Sequence, residues 1–361
     1  MTASLTGTAV AGSSLLSGRL PRWSPWALFA GSWLALVGVY LLLAAAGTTD
    51  GFNLVGALFF GTILFDVLLV VLSAIVEGRR RAVDRLVTSL VTTAFIIALL
   101  PLVSLLYTVV AGGLARFDVE FFTYSMRNVV SEGGGALHAI VGTLEVTGIA
   151  ALMSVPVGLL TAIYLVEYGH GVIARTITFL VDVMTGIPSI VAGLFAIALF
   201  SLFFGPSVRS GFIGSVALTV LMIPIVVRSS EEILKLVPGE LREASYALGV
   251  PKWRTIVKVV LPTAIAGVTT GIMLAISRVI GETAPLLLTA GYTASMNYDP
   301  FDDRMATLPV FVYTQYANQG VPASAYLERA WTGALVLILL VALFNVIARL
   351  VNHFLSPKAG R

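Results

Sequence analysis

"REASYALGVPKWRTIVKVVLP", residues Arg242 to Pro262, concentrates charge in a chain that avoids it almost everywhere else: Arg242, Glu243, Lys252, Arg254 and Lys258 surround a Gly249-Val250-Pro251 break. After Pro238-Gly239, Glu240 to Leu248 reads as a short helix whose Ala244, Ser245 and Ala247 permit close backbone approach, with Gly249 as its stop. Pro251 suits the first turn of a second short helix. There Trp253, Ile256 and Val257 alternate with Lys252, Arg254 and Lys258, as in a helix lying at a membrane surface. Two short helices at an angle form a knuckle with an acid near its start. Such a shape either seats in a groove of another protein or lies as an interfacial link between two spans.

The surroundings decide that a membrane is involved. Of the 361 residues, 58% are hydrophobic and 11% charged, against about 45–50% and 25% in soluble domains. The absence of cysteine removes disulfides, thiolate metal sites and cysteine nucleophiles. The net charge of +3 says less than where Lys and Arg fall. A helix crosses about 30 Å of hydrocarbon in roughly 20 residues, and eight runs qualify or nearly so: Trp26–Ala46, Leu54–Val76, Leu86–Ala111, Leu137–Tyr164, Ile177–Phe204, Phe212–Val227, Ala264–Ala290 and Trp331–Val351. The sixth is the shortest, and Pro224 is expected to kink it. The chain is thus expected to be an all-α integral membrane protein.

With the N-terminus inside, the bias of Lys and Arg toward the inner segments is about threefold, which favours cytoplasmic N- and C-termini. The outer loops then hold only Arg116, Arg127, Arg209, Arg304 and Arg329. Residues 1–25 lack the apolar core of a secretory signal and read as a cytosolic tail. "EGRRRAVDR", Glu77–Arg85, separates a plain accessory hairpin (26–78) from a longer portion (79–361) that holds nearly every intramembrane polar residue and the charged loop at about 228–262.

The spacing Glu243-Ala244-Ser245, three residues, Gly249, nine residues, Val259, one residue, Leu261-Pro262 resembles the EAA loop of permease subunits of ATP-binding-cassette importers. Ser245 replaces the second Ala of that pattern and Val259 its Ile. "DVMTGIPSIVAGLF" (Asp182–Phe195), "VVRSSEEILKLVPGELREASYALG" (Val226–Gly249) and "SRVIGETAPLLLTAG" (Ser277–Gly291) are similar to phosphate-specific permeases, and Gly281–Leu287 favours one of the two permease subunits such importers pair. The resemblance covers about Arg80 to the C-terminus and implies a six-helix type I importer core, to which the first two spans are an extension. It also implies a bacterial inner membrane and a coupling role for Glu243, Ala244, Ser245, Gly249, Leu261 and Pro262. The implied partners are a second permease, ATPase subunits that use the ATP, and an external phosphate-binding protein, besides membrane lipid. Neither a nucleic acid nor a cofactor in this chain is implied.

Inside the membrane, Arg278 and Glu282 are four apart on span seven, on the face that carries Gly267-x-x-x-Gly271, a close-packing pattern. An arginine at mid-bilayer costs about 2.5–3.5 kcal/mol, so it should face protein or water. Either the pair is a structural lock, or the guanidinium fork contacts phosphate while Glu282 sets its orientation. Span five offers Thr185-Gly186-Ile187-Pro188-Ser189, where proline frees a carbonyl beside hydroxyls: a polar path or a packing kink. Thr185, Ser189, Arg278, Glu282 and Thr283 form the expected substrate pathway. Asp182 should sit near the inner surface, and Glu145 is a further buried acid in span four.

No lysine follows a glycine, so a phosphate loop for ATP is missing, and neither His-Glu-x-x-His nor Gly-x-Ser-x-Gly occurs. No catalytic residue and no metal site is expected. His138, His170 and His353 read as solvated loop or interface residues, and Asp299, Asp302 and Asp303 as a solvated outer cluster. The leading expectation is a transport subunit for phosphate. The alternatives are another oxyanion such as molybdate or sulfate, and an ion-coupled secondary transporter with Arg278, Glu282 and Glu145 as a relay.

Overall fold

The computed structural model describes residues 20–46 and 52–355, with side chains to residue 350; most of the expected tail, and the side chain of His353, lie outside the described residues. Among the described residues the chain is helical without strands: α1 (Ser24–Ala45), α2 (Leu54–Val76), α3 (Arg79–Gly113), α4 (Val119–Thr123), α5 (Leu137–Ile163), α6 (Gly171–Thr185), α7 (Ser189–Phe204), α8 (Gly211–Lys235), α9 (Gly239–Ala247), α10 (Lys252–Thr255), α11 (Leu261–Val279), α12 (Ala284–Thr289), α13 (Leu308–Ala317) and α14 (Ala323–Leu355). π-Turns at Tyr164–Tyr168 and Ile256–Val260 extend α5 and join α10 to α11. Seven helices are long and apolar enough to cross a membrane, or eight crossings if the bent pair α6 and α7 is one. The fold is therefore that of an all-α, multi-pass membrane protein. It divides into two compact units, Met1–Leu105 and Leu106–Arg361, with the boundary inside α3.

In the first unit, Gly56 and Gly61 let α2 press on α1. A Cβ on Gly61 would stand 2.9 Å from the Trp33 ring and one on Gly56 2.9 Å from the Tyr40 hydroxyl. Trp33 donates its indole N–H to the Thr62 hydroxyl at 3.3 Å, and Phe29 meets Phe65 edge to face. The hairpin is less plain than its composition suggests, because Asp66 on α2 accepts a hydrogen bond from the Ser89 hydroxyl on α3. The turn into α3 is built on Glu77, which is buried and takes Arg85 at 2.7 Å, the Ser73 hydroxyl at 2.9 Å and the Leu20 N–H at 3.0 Å. Burial pushes its carboxyl upward, but the bonds from Arg85, Leu20 and Ser73 outweigh that and leave it below the usual carboxylate range.

In the second unit α8 is the hub. The expected short span Phe212–Val227 is a helix of 25 residues, Gly211–Lys235, with Pro224 inside it. Neighbouring helices supply the packing: Gly158 of α5 admits Val226, and Gly267 and Gly271 of α11 admit Ile233 and Ser229, each at distances that leave no room for a Cβ. The expectation that the Gly267/Gly271 face meets protein agrees with this. A cluster of Val146, Leu218, Met222, Val226, Ala275 and Val279 forms the centre.

Two expected spans and one arm of the knuckle need correction. The fifth expected span, Ile177–Phe204, is two helices bent by 107° between Thr185 and Ser189, because Pro188 and Gly186 stop the helix rather than kink it. The seventh, Ala264–Ala290, ends at Val279; residues 280–283 are non-helical and α12 restarts at Ala284. Arg278 therefore lies in the last turn of its helix, not at its middle. The second arm of the knuckle is not a short separate helix either, since Lys252–Val279 is continuous over 28 residues.

Arg329, expected in an outer loop, and His138, expected at a solvated loop or an interface, are both buried. Arg329 sits within α14, fully buried, where it donates to Gln315 at 2.9 Å and to the Ser131 and Gly133 carbonyls at 2.8 and 3.0 Å. His138 is buried against Phe311 and Tyr292, with neither ring nitrogen bonded among the described residues. Both positions abut loops in the sequence, but their partners are distant in it: Gln315 and Phe311 of α13, Tyr292, and the carbonyls of Ser131 and Gly133. His170 is exposed, as are Asp299, Asp302 and Asp303.

Candidate functional site

The charged stretch resolves into two roles. Arg242 points back to the body, where it bonds Glu167 at 2.9 Å and donates to the Val237 and Leu234 carbonyls at 2.6 and 3.0 Å. Lys252 donates to the Glu167 carbonyl and lies 4.8 Å from the Tyr168 ring centre. These two cations anchor both arms of the knuckle to the π-turn at the end of α5. Between the arms, the buried hydroxyls of Ser245 and Thr255 bond each other at 2.8 Å. Gly249 adopts φ +75°; its N–H reaches the Tyr246 carbonyl at 2.9 Å, and the Val250 N–H the Ser245 carbonyl at 3.3 Å. Those two bonds are a Schellman ending, which requires the left-handed conformation that glycine takes without cost.

What remains faces outward. Glu243, Ala244 and Ala247 are exposed, together with Leu241, Tyr246 and Leu248, the last 83% accessible. Leu261 and Pro262 open α11, the first half-buried and the second exposed. The six residues singled out as coupling residues thus separate: Glu243 and Ala244 on the open surface, Ser245 inside, Gly249 at the corner, Leu261 and Pro262 where the second arm enters α11.

At the other end of Lys252–Val279, a cavity of about 270 Å³ is bounded by the α6–α7 bend, the middle of α8 and the end of α11. Four of the five residues expected to line a substrate path, Thr185, Ser189, Arg278 and Glu282, line it together. Thr283 does not; its hydroxyl turns to the Gly281 carbonyl at 3.5 Å. The expected neighbour relation between Arg278 and Glu282 fails, since the helix ends between them. Among the described residues neither forms an ion pair, although both reach the same cavity. The lock reading of that pair therefore has no contact behind it, and an exposed guanidinium is left free on a cavity wall.

One turn along from the cavity, Asp182 of α6 bonds Arg228 of α8, which continues to Glu231 at 2.9 Å and on to Lys235 at 2.7 Å. Sequence reasoning noted Asp182 alone. The run Arg228, Glu231, Lys235 at three- and four-residue spacing was the available signal for a charged stripe. Glu167 carried a fainter one, an acid just past an apolar run. Glu145 keeps one carboxylate oxygen buried and unbonded among the described residues.

Residues 154–361 match the family described as binding-protein-dependent transport system inner membrane component. The chain belongs to that family. Within this permease family it is similar to the phosphate transport system permease protein PstA 1 of Mycobacterium tuberculosis H37Rv, 49% identical over 286 residues, covering 78% of this chain and 91% of that protein. The PstA of Mycobacterium leprae is 51% identical over 276 residues, 75% of this chain and 89% of the relative; that of Haemophilus influenzae is 37% identical, with 75% and 94% covered. The permease fold itself recurs in solved structures. An inward-facing MetNI methionine ABC transporter has a TM-score of 0.51 at 23% identity, covering 61% of this chain and 96% of that one. A bacterial alginate ABC transporter has 0.54 at 12%, covering 79% and 99%.

Proposed function

We propose that this chain is the PstA permease subunit of an ATP-driven phosphate importer, forming half of the translocation pathway with a second, PstC-like permease. In this reading PstB-like ATPase subunits drive it from the cytoplasm, and a PstS-like phosphate-binding protein delivers from outside. The ATP is used by the partner subunits, and the chain itself is not an enzyme. The observation that carries the reading is what stands at the two ends of the continuous helix Lys252–Val279: at one end the anchored knuckle, whose first arm offers Glu243, Ala244 and Leu248 outward, and at the other an unpaired Arg278 on a cavity wall. Phosphate entering such a cavity needs fixed donors against its desolvation, and a guanidinium fork supplies two at once. A tetrahedral fork contact alone accepts sulfate or molybdate too; the PstA relatives favour phosphate. A proton or ion relay through Arg278 and Glu282 is disfavoured, since the two do not touch.

In this orientation the knuckle, Arg79–Arg81 and both termini face the cytoplasm, and the loop with Asp302 faces outward. The test is uptake and yield in Arg278 variants of the assembled complex. Arg278→Ala should assemble and lose ATP-dependent phosphate uptake. Arg278→Lys should assemble and transport poorly, since an ammonium keeps the charge but not the fork. Recovery of uptake in Arg278→Ala with Glu282→Ala would remove Arg278 from the substrate path.

A further inference from the structure

The first unit holds a larger cavity, about 800 Å³, that the transport reading does not use. It runs between α1, α2 and the first half of α3. Its depth is walled by Phe29, Phe65, Leu69 and Ile96 with Thr62, Thr92 and Thr93 among them, the hydroxyls of Thr62 and Thr92 being turned onto their own helices' carbonyls, while its mouth carries Glu77, Arg81, Asp84 and Arg85 at one end of the helices. From Arg81 to Ile96 is fifteen residues of helix, about 22 Å. That matches a headgroup plus one leaflet of a hydrocarbon layer about 30 Å thick. The walls belong to membrane-spanning helices, so the medium that supplies the occupant is lipid.

The mouth says which lipid. Glu77 and Arg85 are spent on each other at 2.7 Å. Arg81 and Asp84 are three apart on one helix, yet among the described residues neither joins an ion pair. The mouth therefore presents one free cation and one free anion side by side, with the Thr88 hydroxyl a turn deeper than Asp84. A simple anionic headgroup would leave Asp84 facing like charge. A headgroup that carries both a phosphate and a primary ammonium satisfies both groups: guanidinium on phosphate oxygens, carboxylate on N–H donors.

We infer that this cavity binds one aminophospholipid, its phosphate on Arg81, its ammonium on Asp84 and one acyl chain along Phe29, Phe65 and Ile96. Basic pockets between membrane helices hold lipid headgroups by the same chemistry, and a cavity of this size falls within the range of ligand sites. The three consecutive arginines Arg79–Arg81 also attract any anionic surface, so the test has to separate a built site from surface charge.

The purified full chain in its complex is equilibrated with vesicles of phosphatidylethanolamine, phosphatidylglycerol and phosphatidylcholine in equal parts, and retained lipid is identified by native mass spectrometry. One phosphatidylethanolamine per chain is expected. Arg81→Gln should lower phosphatidylethanolamine retention about fivefold, the equivalent of roughly 1 kcal/mol for one arginine at a lipid surface. The isosteric Asp84→Asn should shift the retained lipid from phosphatidylethanolamine to phosphatidylglycerol. Thr93→Trp, which fills the cavity without touching charge, should abolish retention. Equal retention of the three lipids by the wild type, or unchanged phosphatidylethanolamine in both Asp84→Asn and Thr93→Trp, overturns the site. Finding no lipid in the wild type overturns it too, leaving the space to the preceding residues of the chain or to a second copy.

Discussion

The helices α3 and α8 are both long and apolar enough to cross a membrane and differ in what surrounds them. The most apolar window of α3 has a mean hydropathy of 2.5, and 6% of it is buried; in α8 the mean hydropathy is 2.0, and 61% is buried. Hydropathy thus ranks them in the opposite order to burial. A face that meets lipid must be apolar, whereas a helix enclosed by other helices gains from close approach and can trade methyls for small and hydroxyl residues. Gly211, Gly214, Ser215, Ala217 and Thr219 make that trade in α8, with the Ser215 and Thr219 hydroxyls turned onto their own helix's carbonyls.

The hardest test of this contrast lies at the glycines facing α8. Gly158→Val and Gly271→Val place atoms within 2.7 Å of Val226 and of Ser229 respectively. Each should cost about 1–3 kcal/mol, and the double variant should give no assembled complex, read as yield and as melting. Assembly of the double variant at parental yield would break the picture of α8 as hub.

The knuckle sharpens the contrast, because its glycine is needed for conformation and not for space. A Cβ on Gly249 meets nothing within 4 Å, but its φ is +75°. Gly249→Val should therefore assemble, at a local cost of about 1–2 kcal/mol, while the phosphate moved per ATP hydrolysed falls. Parental coupling in that variant would rule out the knuckle as the coupling element.

A smaller effect is expected at Glu77, whose folded pKa lies below its ordinary value of 4.5. Its contribution is complete above about pH 4.5 and is lost as pH falls through the folded value. Melting of the purified chain should therefore fall more steeply with acid in the wild type than in Glu77→Gln; parallel curves would deny Glu77 that role. Smallest of all, Leu102→Ala on the exposed face of α3 should change melting by no more than about 0.5 kcal/mol.

The chemistry of this molecule was more legible in its sequence than its geometry. Thr185, Ser189, Arg278 and Glu282 stand out in the sequence as polar residues inside expected spans, and the fold gathers them around one cavity. The spacing that paired Arg278 with Glu282 misled, because it assumed a helix running through Gly281, and α11 ends before it. Apolar runs do not mark where a helix stops inside a membrane, which is also why Ile177–Phe204 read as one span. The roles of Glu167, Arg228 and Arg329 depend on partners 14 to 198 residues away. Ser245 is the most informative departure: against the EAA pattern it looked like a mild substitution, and it is the residue that ties the two arms through Thr255.

Lys252 to Val279 is a single rod with its near end clamped in the knuckle and Arg278 near its far end. Twenty-six residues separate those two positions, about 39 Å at 1.5 Å per residue. Tilting the rod by about 5° at the near end would carry the guanidinium roughly 3.4 Å, more than the length of a hydrogen bond. A displacement too small to disturb the Ser245–Thr255 contact would then suffice to give or withdraw a ligand at the far end. Mechanical advantage, rather than a large rearrangement, is what this length of helix provides.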